Sequence, residues 1–165
     1  MLSEEKGRAF AKRVADKTKE IGAKLSFDVN FRKDIFRDFD AAKRAYEPFV
    51  KRADIVKFSE DELLDFTGIS GIDAAAESLC DKDKLILVTL GKNGSAYYFN
   101  GENGVVSSEY KCKSVDTTGA GDAFFGAFLA AIENKKPTKE NIVSAMRKGN
   151  EKGAKTTEFF GAIKL

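Results

Sequence analysis

The chain has 165 residues, with 28 Lys and Arg against 26 Asp and Glu, so it can bury one real core and carries no charge excess suited to nucleic acid. It has no histidine, which excludes a histidine triad, a histidine metal site and a histidine general base; acid–base chemistry falls to a carboxylate, Lys, Cys or Tyr. Cys80 and Cys112 lack C-x-x-C spacing, which argues against a zinc or redox motif and fits a reducing compartment. The most apolar stretch, residues 123–132, is about half of what a bilayer span needs. A cytoplasmic protein with no membrane or nucleic-acid partner is expected.

Taken in chain order, residues 3–22 read as an amphipathic helix with Ser3 as N-cap, Phe10, Val14 and Ile21 on its apolar side, and Gly22 as stop. Residues 25–30 (LSFDVN) read as a short strand, 40–52 as a helix capped by Asp40, and 53–59 as a strand. Ser59 to Phe66 is a short helix closed by Gly68, and 72–81 another. Residues 85–90 (LILVTL) are a continuous apolar run, as in a parallel strand buried on both faces. Residues 95–100 and 105–112 form a hairpin joined by GENG. An apolar helix over 121–134 and a last helix from Thr138 to about Lys152 complete the chain. Alternating strands and helices predict an α/β fold with a mostly parallel sheet and one antiparallel hairpin, in one domain over residues 1–165.

In open α/β sheets, ligands gather beyond the carboxyl ends of the strands. Four strand ends carry polar or glycine-rich groups: Asp28-Asn30-Arg32, Ser59-Glu62, Thr89-Gly91-Gly94, and Asp116 to Asp122. The last is the richest. Gly119-Ala120-Gly121 sit where a loop enters a helix, so their amides can approach an anion closely and the helix dipole adds positive potential. Asp122 follows in the first turn. A carboxylate beside an anion site suits a base that takes a hydroxyl proton while the amides hold a phosphoryl group. The residues alone leave two readings open, this one and a packing turn with Asp122 as a cap.

The segment DTTGAGDAFFGAFLA resembles the second signature of the PfkB/ribokinase family of sugar kinases. The resemblance implies that Asp122 is the catalytic base, that the amides of Gly119, Ala120 and Gly121 form the anion hole, and that Asp116 and Thr118 belong to the nucleotide-binding loop. VTLGKNGSAYYF is similar to the family's T-x-G-x-x-G stretch, placing Thr89, Gly91 and Gly94 at the nucleotide, although Asn93-Gly94 also suits a tight turn. SFDVNFR resembles the D-x-N-x-R stretch of fructokinase-like members, which puts Asn30 and Arg32 near phosphate or sugar; Asp28 and Asn30 also suit turn capping, but Arg32 adds a bidentate phosphate donor that favours function. The Pro and Trp usual in that branch are replaced here by Lys33, Asp34 and Ile35. KFSEDELLDFTG resembles an N-x-x-E segment linked to Mg²⁺, with Glu62 as the metal candidate; Ser59 and Glu62 also spell a capping box. MRKGNEKGAKTTEFFGA resembles the family's closing nucleotide-pocket stretch through Asn150 and Gly161, with Glu151, Lys152 and Gly153 where alanines are usual. Asn150 alone would read as a helix-surface residue.

The resemblance implies a ribokinase-like fold, ATP and Mg²⁺, with a monovalent cation such as K⁺ near the nucleotide loop. It covers nearly the whole chain but only about the second half of a family member. The early Gly-Asp segment, the first glycine-rich signature and the β-sheet lid have no counterpart, so the chain is expected to be a truncated C-terminal nucleotide-binding and catalytic portion. A sugar would then bind only if the missing half is supplied. A bare sheet edge and bare apolar helix faces predict association, as a homodimer or through that edge. The expected activity is ATP-dependent, fructokinase-like sugar phosphorylation. The alternatives are a nucleotide-binding fragment without catalysis and a kinase of the same superfamily acting on another small molecule.

Overall fold

The computed structural model describes residues 2–31, 35–36 and 38–162. Its elements in order are α1 (Glu5–Glu20), β1 (Ser26–Asp28), α2 (Phe39–Arg52), β2 (Ile55–Ser59), α3 (Glu60–Thr67), α4 (Ile72–Glu77), β3 (Leu85–Thr89), β4 (Ser95–Phe99), β5 (Glu102–Val106), α5 (Ala120–Ile132) and α6 (Lys139–Thr156). The five strands follow chain order across the sheet, β1-β2-β3-β4-β5. β1 pairs in parallel with β2, Ser26 opposite Ile55 and Asp28 opposite Lys57. The apolar run of β3 is buried from Leu85 to Val88, as expected for a strand covered on both faces. Two compact units share the chain: Met1–Leu87 with Tyr98–Glu102, and Val88–Tyr97 with Asn103–Leu165.

In the first unit, aromatic residues build the core. The Phe31 ring meets Tyr46 at 5.2 Å and Phe66 at 5.7 Å between centroids, both edge-on. Such pairs contribute about 0.5–1.5 kcal/mol each beyond the area they bury. Lys84 is buried and donates to the carbonyls of Val50 and Lys51 at 2.8 Å, satisfying the last turn of α2. Burial pushes its ammonium pKa below the ordinary lysine value.

Several local expectations are corrected. α1 begins at Glu5 with Glu4 as N-cap and no side-chain cap, so Ser3 does not cap it. Its expected apolar side is bare: Phe10, Val14 and Ile21 are 53%, 45% and 65% exposed, and Ala15 is the helix's one buried residue. The cap of α2 is Asp38, which accepts from the Ala41 N–H, because the helix starts one residue before Asp40. The β4–β5 turn is Asn100-Gly101 rather than GENG. Both residues have positive φ (49° and 80°), the mirror-image turn whose twist suits a hairpin, and β5 can therefore begin at Glu102. Residues 107–112 are not strand; they leave the sheet as an irregular segment. α4 stops at Glu77, and α6 runs on to Thr156.

Candidate functional site

The second unit holds the loop that enters α5. The Asp116 carboxylate accepts from Thr118 N–H (2.9 Å), Thr118 Oγ (2.7 Å) and Gly161 N–H (2.9 Å). These donors, Gly161 first, hold its pKa below the ordinary Asp value. Asp116 thus shapes the loop and ties residue 161 to it. Behind the loop, the Thr157 carbonyl accepts from Val115 and Asp116 N–H.

Gly119 is the N-cap of α5 at φ 77°, with no side-chain cap. A Cβ there would lie 2.6 Å from Ala162 Cβ, so conformation and space both require glycine. The Ala120 amide donates to the Thr117 carbonyl, which removes it from the expected anion hole. The amides of Gly119, Gly121 and Asp122 have no partner among the described residues. They are open donors at the positive end of a thirteen-residue helix. The Asp122 side chain is exposed and likewise unpartnered among the described residues.

Beside this helix start lies a cavity of about 500 Å³. Of the expected residues, Thr89, Gly91, Gly94, Ala120, Gly121 and Asn150 line it. Gly91 (φ 57°) opens a short 3₁₀ turn over Gly91–Asn93, and Gly94 (φ 100°) closes it, so the positive-φ positions are these two glycines and not Asn93. A Cβ at Gly94 would fall 2.1 Å from the Val106 carbonyl, which only glycine avoids. Asn150 is buried rather than on the surface. Its Oδ1 accepts from Ser95 Oγ (2.9 Å) and its Nδ2 donates to the Val106 carbonyl (2.8 Å), bracing the cavity wall.

α6 meets α5 through a glycine pair. A Cβ at Gly149 would reach the Phe124 ring at 2.8 Å, and one at Gly153 would reach the Ala120 carbonyl at 3.0 Å. Of the residues replacing the usual alanines, Gly153 faces the cavity while Glu151 and Lys152 are exposed, so the wall stays small and uncharged there. The i, i+4 spacing of Gly149 and Gly153 was the signal for this contact. Ser108, Tyr110, Lys111 and Cys112 also line the cavity, and Cys112 Sγ lies 3.4 Å from Thr157 Oγ1. They come from residues 107–112, which strand-like patterning concealed.

The first unit holds the other candidates. Asn30 adopts φ 40°, and its carbonyl accepts from Tyr46 OH at 3.2 Å. Arg32 lies outside the described residues. Glu62 Oε2 accepts from Ser59 N–H (2.7 Å) and Oε1 from Phe31 N–H (3.0 Å), while Ser59 caps the Glu62 amide. The capping box is therefore complete, and both carboxylate oxygens serve backbone donors. Among the described residues no three His, Cys, Asp or Glu side chains assemble into a metal cage. On the described residues, Mg²⁺ would be held chiefly through phosphate oxygens and water rather than by a side-chain cage. Sequence reasoning missed Lys57, buried on β2, whose Nζ lies 3.0 Å from Asp28 Oδ1 across the parallel pair.

A ribokinase-like α/β architecture with a glycine-lined cavity at a helix N-terminus defines the class. Residues 7–164 match the pfkB family carbohydrate kinases, and the chain belongs to that family. It is 40% identical over 157 residues to fructokinase-1 of Zea mays, covering 92% of this chain and 48% of the relative. It is 37% identical over 161 residues to putative fructokinase-8 of Arabidopsis thaliana, covering 94% and 76%. The crystal structure of fructokinase from Vibrio cholerae O395 with fructose, ADP and calcium ion bound superposes with a TM-score of 0.90 at 32% identity, covering 98% of this chain and 53% of that one. The chain spans about half the length of most curated relatives it matches. No described helix is long and apolar enough to cross a membrane.

Proposed function

We propose that this chain carries the nucleotide-binding and catalytic portion of an ATP-dependent, fructokinase-like sugar kinase. The observation that carries the reading is the group of unpartnered amides at Gly119, Gly121 and Asp122 beside a glycine-lined cavity of about 500 Å³. Nucleotide-sized ligands occupy cavities of this size. The cavity takes the base and ribose along Thr89, Gly91, Gly94 and the Asn150 wall, and the phosphates run toward the α5 N-terminus. The amides there stabilise charge on the transferred γ-phosphoryl group without reorganising. The Asp122 carboxylate takes the proton of the attacking sugar hydroxyl as the oxygen–phosphorus bond forms and ADP leaves. Mg²⁺ bound with the nucleotide would neutralise phosphate charge. A monovalent cation belongs, on this reading, to the Asp116–Thr118 loop, and Glu62 acts by holding the Phe31 and Ser59 amides.

One observation favours a second reading, nucleotide binding without turnover: the cavity lies wholly within one unit. The test is ATP titration of the parent chain and Asp122→Asn, together with a fructose phosphorylation assay in which each is joined to the portion of the Vibrio cholerae fructokinase that it does not match. The kinase reading expects transfer by the parent and a loss of about 10²–10⁴-fold in the variant, with ATP affinity kept within about twofold. Binding with no transfer by either protein supports the second reading. Transfer that survives the substitution overturns the role of Asp122.

A further inference from the structure

Tyr110 borders the cavity of about 500 Å³ and has no part in proton or phosphoryl transfer. It belongs to residues 107–112, which leave the sheet as an irregular segment, and side chains of α6 hold it there. Lys155 Nζ sits 5.1 Å from the ring centroid, over one face, and the Tyr110 hydroxyl donates to Glu158 Oε1 at 3.3 Å. Lys155 is itself paired with Glu151. The ring also borders a second cavity, of about 250 Å³, together with Arg147, Lys148 and Glu151. Lys155 does not line the larger cavity, so the ring face it covers points away from that space. The opposite face is the one left to the larger cavity.

Asn150 and Thr157 are the buried polar side chains of the cavity lining among the described residues, and both are engaged by the protein. Each end of the Asn150 amide is bonded, to Ser95 Oγ and to the Val106 carbonyl, and the Thr157 hydroxyl donates to the Ala154 carbonyl at 2.8 Å. Gly153 and Ala154 beside them offer no hydrogen-bonding side chain. A pocket tells one base edge from another through donors and acceptors held ready for it. A ring face attracts any base, through dispersion and stacking that grow with the area of overlap. This wall suits the second kind of contact.

We infer that the cavity face of Tyr110 stacks on the nucleobase, and that the chain takes purine nucleoside triphosphates as a class, ATP and GTP alike, in preference to pyrimidine ones. A two-ring base overlaps the phenol more fully than a one-ring base. Tyr110 thus sets which nucleotides bind and leaves the anchoring of phosphate to α5. The inference rests on the reading of this cavity as the nucleotide site.

The test is calorimetric titration of the folded chain with the Mg²⁺ complexes of ATP, GTP, CTP and UTP, and with tripolyphosphate, which carries no base. ATP and GTP are expected to bind within about threefold of each other, and CTP and UTP at least about fivefold more weakly. Tyr110→Ala should weaken ATP and GTP at least about fivefold, to the pyrimidine level, and leave tripolyphosphate unchanged. A ring that served only the fold would alter tripolyphosphate binding as well. Tyr110→Phe should keep the parent affinities, because the ring face and not the hydroxyl makes the contact. The chain has no Trp, so Tyr110→Trp supplies a single indole whose emission ATP should quench and tripolyphosphate should not. Equal ATP affinity in the parent and Tyr110→Ala, or a preference for ATP over GTP beyond about tenfold, overturns the inference and leaves the kinase reading standing. A folded chain that binds neither ATP nor tripolyphosphate overturns both.

Discussion

Two helix starts in this chain both sit where ligands are expected and differ in chemistry. At α3, Ser59 and Glu62 close on each other, and the remaining oxygen of Glu62 takes the Phe31 amide. At α5, the cap is Gly119, which has no side chain to offer, and the amides of Gly119, Gly121 and Asp122 stay open. The α3 start carries Glu60, Asp61 and Glu62 and the α5 start Asp122 alone, and both follow the end of a strand or loop. The difference is where the donors go. A helix whose first-turn amides meet its own side chains is locally stable and electrostatically quiet. One whose amides are open keeps partial positive charge available for an anion.

The strongest way to break this contrast is to give the α5 start a side chain. Gly119→Leu forces a left-handed residue to carry a Cβ against Ala162 and should cost about 2–3 kcal/mol of stability. ATP affinity should fall at least about tenfold, read by calorimetry at a temperature where the variant is folded. Opening the α3 start should do the reverse. Glu62→Gln leaves one backbone N–H facing an amide NH₂ and should cost about 1–2 kcal/mol by denaturant unfolding, with ATP affinity unchanged. An equal loss of ATP affinity at both sites would erase the contrast.

The smallest effect concerns Asp116. Its folded pKa lies below the unfolded value, so its contribution is fully present above the unfolded carboxylate range near 4 and is lost as pH falls through the folded pKa. The Tm difference between the parent and Asp116→Asn should therefore be constant from pH 7 to about pH 5 and vanish at lower pH. A difference that persists at pH 2 would mean that the side chain acts by shape rather than charge.

Much of this was legible before the fold was known. The apolar run of β3, the capping box at Ser59, the closing Gly68 and the glycine-rich entry to α5 each state a local rule that the structure obeys. What stayed hidden depends on neighbours distant in sequence. Asn150 reads as an ordinary helix residue until Ser95 and Val106 arrive to bond it. Residues 107–112 read as a strand because Val105 and Val106 begin one, yet the segment turns away to wall the cavity. Phe10, Val14 and Ile21 have the right periodicity for a core, but periodicity names a face without naming what covers it.

The most direct measurement of the central claim is a calorimetric titration of the folded chain with Mg-ATP, repeated in excess tripolyphosphate. The open amides of α5 predict saturable 1:1 binding that tripolyphosphate displaces, because the phosphates supply the anchor. A folded chain that binds no ATP, or binds it undisturbed by tripolyphosphate, would contradict the account.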